Sequence, residues 1–258
     1  MATAPNNTLP LFYKDLTPLS SVTHAGWRSR KTDKAVWLAK EGAIPLTVEE
    51  FPEAQRHFPI VFSGGENPVP LALMGLNEGV NTFFDDDGKL LDDVYIPAYA
   101  RRYPFMLAKL QPDSDELSLC FDPSTELVGA FEDGDALFDG DKPTDATSSM
   151  LEYCRRFEEA AFRTGNFMKE LKKHDLLMDG EVAIRRGDDD EQPFIYRGFQ
   201  MVDEAKLREL RGDVLRSWNQ NGMLPLIFAH LFSLELVRVI FGRQISQGKG
   251  PIAAPAQG

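Results

Sequence analysis

The chain has 258 residues, with 28 basic against 40 acidic side chains, a formal charge of −12 at pH 7. Its length admits one large domain or two small ones, and 43% hydrophobic, 10% aromatic and 26% charged residues exclude a collagen, a disulfide scaffold and a wholly disordered chain. A field of that sign repels nucleic acid and anionic lipid. The one basic concentration, Arg28, Arg30, Lys31, Lys34 and Lys40, is flanked by Trp27 and Trp37 but lacks the interleaved aromatics of a base-stacking surface, so no nucleic-acid partner is expected.

In chain order, AVWLA (35–39) and AIPLT (43–47) are short apolar runs about the turn residues Glu41 and Gly42, and both read as strands. Thr47 and Glu50 have capping-box spacing for a short helix over EEFPEAQRH. PIVFS (59–63), PLALMGL (70–76) and NTFFD (81–85) follow as a meander of hairpins separated by Gly64-Gly65 and Asn77-Glu78-Gly79. Ile96-Pro97 opens a short helix, IPAYARRY, stopped by Pro104, and FMLAKL (105–110) and LSLCFD (117–122) resume strand character.

Residues 123–147 read as an acidic, turn-rich loop with little regular structure. Ser149 and Glu152 then box a helix of about 25 residues, whose Leu151, Cys154, Phe157, Ala161, Met168 and Leu171 fall on one face at helical spacing. EVAIRRG (181–187) and QPFIYRGFQMV (192–202) form a hairpin about Asp188-Asp189-Asp190, and helices follow at 203–211, capped by Asp203, at 214–221, capped by Asp213, and at 223–242. Strands first and helices later, without βαβ alternation, specify an α+β fold. Its N-terminal half is antiparallel and strand-rich with short helices. Its C-terminal half holds a long amphipathic helix, a β-hairpin and a terminal helical cluster. The organisation expected is a flexible 1–11, a body over 12–243, either one core or two lobes with a soft boundary in 123–147, and a disordered tail over 244–258.

The apolar stretch 223–241 approaches the length of a membrane span. It carries His230, Glu235 and Arg238, however, and central charges cost about 2.5–3.5 kcal/mol each on insertion scales, so a buried helix and no transmembrane segment are expected. MATAPNNTLPLFYKDL has no basic n-region and no long apolar core, which places the protein in the cytoplasm and leaves export without a cleaved leader open. Cys120 and Cys154 sit among apolar neighbours rather than in a redox or metal spacing, and both are expected to be buried, reduced thiols.

The chain contains no GxGxxG, Walker A loop, HExxH, CxxC or GxSxG, so no cofactor, no metal and no catalytic residue is assigned. The acids of DDDGKLLDD (85–93) miss the spacing of a calcium loop and read as a turn. Among the four histidines, His230 lies in the most apolar stretch, where an imidazole needs a partner or lines a cavity. His24 lies in THAGWRSR beside Trp27, a polar segment of the kind that carries binding residues. Arg101, Arg102 and Tyr103 cluster in ARRYPF, two guanidiniums suited to a carboxylate or phosphate. His24, Trp27, Arg101, Arg102, Tyr103 and His230 are therefore the binding candidates.

YKDLTPLSSVTHAGWR, AIPLTVEEFPEAQRHFPIVF, PLALMGLNEGVNTFFDDDG, YIPAYARRYPFMLA, LCFD, GFQMVDEAKLREL and GMLPLIFAHLFSL, spread over 12–243, together resemble the SapC family of bacteria. The resemblance implies an association with bacterial surface layers, and it carries over no catalytic residues. The same short name is attached to a permease, and since no transmembrane segment is expected that label does not transfer. Two readings follow. One is a non-enzymatic binding or assembly protein linked to a surface layer or an outer-surface uptake system, with an envelope or surface-associated protein partner. The other is a small-molecule-binding or catalytic protein whose pocket draws on His24, Arg101, Arg102, Tyr103 and His230. The charge is local: residues 61–142 hold 17 acidic and 5 basic side chains, and 110–141 hold ten acids with no lysine or arginine. That segment is either a solvated loop or the dock for a basic partner, and only the second would make binding steeply salt-dependent.

Overall fold

The computed structural model describes residues 9–110, 116–184 and 193–250. Its strands are β1 (Thr17–Pro18), β2 (Arg28–Ser29), β3 (Ala43–Pro45), β4 (Ile60–Ser63), β5 (Pro70–Leu73), β6 (Phe105–Lys109), β7 (Leu117–Phe121), β8 (Val128–Gly129), β9 (Asp135–Ala136), β10 (Phe138–Asp139), β11 (Lys142–Pro143), β12 (Leu177–Ile184) and β13 (Phe194–Val202). The helices are α1 (Phe51–Ala54), α2 (Ala98–Arg101), α3 (Asp145–Lys173), α4 (Glu204–Arg208), α5 (Gly212–Gln220), α6 (Met223–Ser233) and α7 (Leu236–Ser246). The fold is α+β, with its helices concentrated in the C-terminal half. The chain divides into two compact units, residues 1–33 with 101–159 and residues 34–100 with 160–258. The acidic stretch 123–147 lies wholly within the first, and the divisions fall at 33/34, 100/101 and 159/160.

In the first unit β7 lies between β1 and β6, all antiparallel, with Phe105 opposite Phe121 and Leu107 opposite Leu119. Strand alternation turns these four inward, onto Val128, Leu137 and Cys154. β2 pairs with both β8 and β9, which sets the basic segment against the acidic one. Arg30 Nε donates to Asp133 at 2.8 Å, Lys31 reaches Asp135 at 3.0 Å, and Arg28 donates to the Gly134 carbonyl at 2.8 Å.

The second unit is built on an antiparallel sheet of order β12-β13-β4-β5-β3. Ile44, Ile60, Val61, Phe62 and Ala72 of this sheet are fully buried, and α6 packs against β4, β13 and α1. Gly180 lies opposite Phe199, and a Cβ there would come within 2.1 Å of the Phe199 ring, so the hairpin needs a glycine at this position.

Several expectations are corrected. Residues 36–38 form a single 3₁₀ turn rather than a strand. NTFFD forms no strand either. The Asn81 side chain donates to the Leu38 and Glu41 carbonyls and accepts from the Phe83 amide, an alternative to a ladder that asparagine readily supplies. α3 starts at Asp145, before the Ser149 box, because Thr144 accepts from the Thr147 amide a turn earlier. α5 starts at Gly212, and Asp213 pairs with Arg211 instead of capping, whereas Asp203 caps α4 through the Ala205 and Lys206 amides. The expected helix 223–242 is broken at Leu234-Glu235. There the Ser233 hydroxyl bonds back to the His230 carbonyl and the amides of 234, 237 and 238 reach back only three residues, a bend that serine back-bonding favours. Residues 244–246 end α7 rather than start a disordered tail, and Gln244 is buried. Residues 1–8, 111–115, 185–192 and 251–258, which include the expected Asp188-Asp189-Asp190 turn, lie outside the described residues.

Candidate functional site

Five of the six candidate residues belong to the first unit and His230 to the second. His24 closes the turn after β1. Its Nδ1 lies 3.1 Å from both the Ser20 amide and the Thr23 hydroxyl, and its ring packs edge-on against Trp27 and Phe121. Arg102 is 4% exposed, with its guanidinium 3.1 Å from Glu158 and 4.1 Å from the Phe157 ring centre, both on α3. Arg101 is exposed and lies 5.6 Å from the Tyr153 ring. The Tyr103 ring meets Phe12 and Tyr13 edge-on, and its hydroxyl lies 3.5 Å from Asp122.

Tyr103 and Asp122 form a polar cluster that the residue pattern alone did not reveal. Burial, the Asp122 charge and the bond to that carboxylate raise the phenol, outweighing an opposing bond from Thr125. Burial opposes ionisation of Asp122, but amide bonds from Lys14 and Ser124 outweigh it and hold the carboxyl below its usual range. Phe12 beside this cluster takes φ +79°, a conformation costly for a bulky residue.

His230 is fully buried in the second unit. Its Nε2 accepts the Val202 amide at 3.0 Å, its Nδ1 donates to the Ile60 carbonyl at 2.7 Å, and its ring stacks on Phe62 at 4.6 Å. Burial pushes its pKa down to about 4, against a smaller upward effect of the Ile60 bond. The imidazole is thus a neutral peg between two strand backbones. Cys154 is likewise buried, and that burial pushes its thiol up to about 12, the wrong direction for a nucleophile. Among the described residues no three histidine, cysteine, aspartate or glutamate side chains group as a metal site.

Two surface features were not legible in the residue pattern. The outer side of α6 carries Phe228 and Phe232, 39% and 70% exposed, with rings stacked at 5.7 Å. Their (i, i+4) spacing shows in the sequence, but in a helix apolar all round it does not reveal which side faces outward. The other feature is a cleft of about 590 Å³ bounded by residues 40–43, the turn 75–79, and Tyr196 and Arg197 of β13. Its lining comes from three distant stretches, and only the turn glycines marked it in the sequence.

These features describe an α+β protein of two compact units in which His24, His230 and Arg102 are engaged in internal packing. Comparison with protein families matches residues 19–240 to the family described as SapC, and the chain therefore belongs to the SapC family. Comparisons with curated proteins and with solved structures returned no match.

Proposed function

We propose that this SapC chain is a non-enzymatic binding or assembly protein that serves a bacterial surface layer or outer-surface uptake system, and that the outer side of α6 receives its protein partner. The observation that carries the reading is the exposed Phe228–Phe232 stack. Leaving a large apolar side chain in water forgoes about 1.5–3 kcal/mol relative to burying it, and such aromatics anchor protein interfaces. α6 carries no acidic or basic side chain except the buried His230, so its outer surface suits an apolar patch on another protein rather than a charged polymer.

Met223–Ser246 is long and apolar enough for a membrane span, with mean hydropathy 1.8. Two observations favour a docking role instead. The stretch is two helices, and Met223, Ile227, His230, Val237, Ile240 and Phe241 are buried within the unit.

The test compares wild type with a Phe228→Ser, Phe232→Ser double variant, each incubated with solubilised envelope fraction and with purified surface-layer protein. Selective retention by wild type, lost at least about tenfold in the variant while the circular dichroism spectrum is unchanged, supports the reading. Equal retention, or retention of nothing but a second copy of the chain, overturns it.

A further inference from the structure

The cleft beside β3 holds charges of both signs that no contact among the described residues satisfies. Its floor is rigid. The Gly42 carbonyl accepts the amides of Met74 and Gly75 at 2.7 and 3.0 Å. The 75–79 turn closes so tightly that a Cβ on Gly75 would lie 1.9 Å from the Val80 carbonyl oxygen. The 75–79 turn is tied to α7 by Gln244, whose Oε1 accepts the Leu76 amide and whose Nε2 donates to Asn77.

Into this cleft face Glu41, half-buried, and Tyr196, with Lys40 at the exposed rim. No hydrogen bond or ion pair of the Glu41 carboxylate, the Tyr196 hydroxyl or the Lys40 ammonium occurs among the described residues. Arg197 is answered by Glu181 at 2.6 Å. Burial raises both the Glu41 carboxyl and the Tyr196 phenol, the mark of polar groups held away from water without compensation.

A partly desolvated carboxylate gains most from a cation, because charge-assisted hydrogen bonds are about twice as strong as neutral ones, and an aromatic ring alongside adds a cation–π attraction. A simple anion would meet Glu41 and Glu78, and a simple amine would meet Lys40 unscreened. A ligand carrying both charges answers both, and Ala43 and Leu76 in the lining offer an apolar wall for an aliphatic group. We propose that this cleft binds a small aliphatic zwitterion of the amino-acid type, its ammonium on Glu41 and Tyr196 and its carboxylate on Lys40. The assignment is independent of the α6 surface.

The experiment is isothermal titration of the full chain with L-leucine, and with 3-methylbutylamine and 4-methylpentanoate as its two half-charged counterparts. One-site binding of L-leucine at least about tenfold tighter than either counterpart is expected, weakened about tenfold or more by Glu41→Gln and several-fold by Tyr196→Phe. Because Glu41 lacks a partner in the free protein, Glu41→Gln leaves the thermal midpoint unchanged or raises it, which a structural carboxylate would not do. Absence of saturable L-leucine binding, equal binding of a half-charged counterpart, or wild-type affinity in both variants overturns the proposal. If Glu41→Gln lowers the midpoint, Tyr196→Phe decides, since it keeps the ring and removes only the hydroxyl.

Discussion

Lowering the pH from 7 toward 4 asks His230 to take up a proton that its site refuses. In the unfolded chain an imidazole has its ordinary pKa of about 6.5, whereas in the folded chain burial lowers it to about 4. Between these values the unfolded state binds more protons, so stability falls as pH falls through that window and is fully present above about 6.5. Each pKa unit corresponds to about 1.36 kcal/mol, so the whole effect is about 3 kcal/mol. The step from pH 6 to pH 5 alone costs about 1.2 kcal/mol, from the proton binding of the two states. Urea unfolding at pH 7, 6 and 5 measures the loss, and the ¹³Cε1 resonance of His230 should stay at its neutral position through pH 5. A His230 resonance titrating near pH 6.5 in the folded protein would refute the reasoning. So would stability independent of pH over this range combined with a His230→Gln variant of the same slope. His230→Leu tests the peg itself: it leaves the Val202 amide and the Ile60 carbonyl unpaired in the core, at about 1–3 kcal/mol each.

Glu50 accepts from the Thr47 amide and hydroxyl on one oxygen and from Tyr95 and the Ala98 amide on the other. Glu50→Gln turns one oxygen into a donor facing donors and should destabilise by about 1–3 kcal/mol in urea unfolding; a near-neutral result would mean the carboxylate is dispensable. Gly75→Ala drives a Cβ into the Val80 carbonyl, whereas Gly79 has open space and only a positive φ of +75° to penalise a side chain. Thermal melts should therefore rank Gly75→Ala, at about 3 kcal/mol or more, well below Gly79→Ala, at about 1–2, and the reverse order would be inconsistent with the packing. Raising salt from 0.1 M, where the screening length is about 10 Å, to 1 M, where it is about 3 Å, should lower the summed coupling of Arg30–Asp133 and Lys31–Asp135, measured by double-mutant cycles in urea unfolding, by less than about 2 kcal/mol. The Arg30–Asp133 and Lys31–Asp135 pairs are exposed, and such pairs contribute about 0–1 kcal/mol each.

What was legible in the sequence follows the range of the interactions. β4, β6, β7 and the β12/β13 hairpin alternate or run apolar over adjacent residues, and α3 repeats at helical spacing, so each could be read locally. Where a side chain overrides the periodicity, it could not. Asn81 takes over the backbone partners a strand would have used, Thr144 starts α3 before Ser149, and Ser233 bends an apolar run that by composition continues as one helix. The site residues divide the same way. His230 stands out because an imidazole in an apolar stretch must find a partner, and His24 because its polar segment is of the kind that carries binding residues; both have partners within hydrogen-bond distance. The partners of His230, at Ile60 and Val202, are 170 and 28 residues away, beyond any local pattern. Glu41 and Tyr196 offered only a turn and one residue of an alternating strand, and the strand arrangement alone brings them to one cleft.

The charge of −12 changes meaning for the same reason. As a sequence it poses two separate questions, whether the basic run from Arg28 meets a nucleic acid and whether the acids of 110–141 meet a basic partner. The β2 ladder answers part of both, because it lays Arg28, Arg30 and Lys31 beside 133–135 and lets each segment neutralise the other within one unit. Asp122 is removed from the count as well, since its oxygens are taken up by the amides of Lys14 and Ser124. What remains exposed, such as Glu126, Asp139 and Asp141, is a negative surface, and the salt dependence of any binding distinguishes a solvated surface from a dock for a basic partner. The two proposed sites rest instead on apolar area and unanswered charge that the fold leaves at the surface, the aromatic pair on α6 and the cleft at Glu41, and neither draws on the net charge.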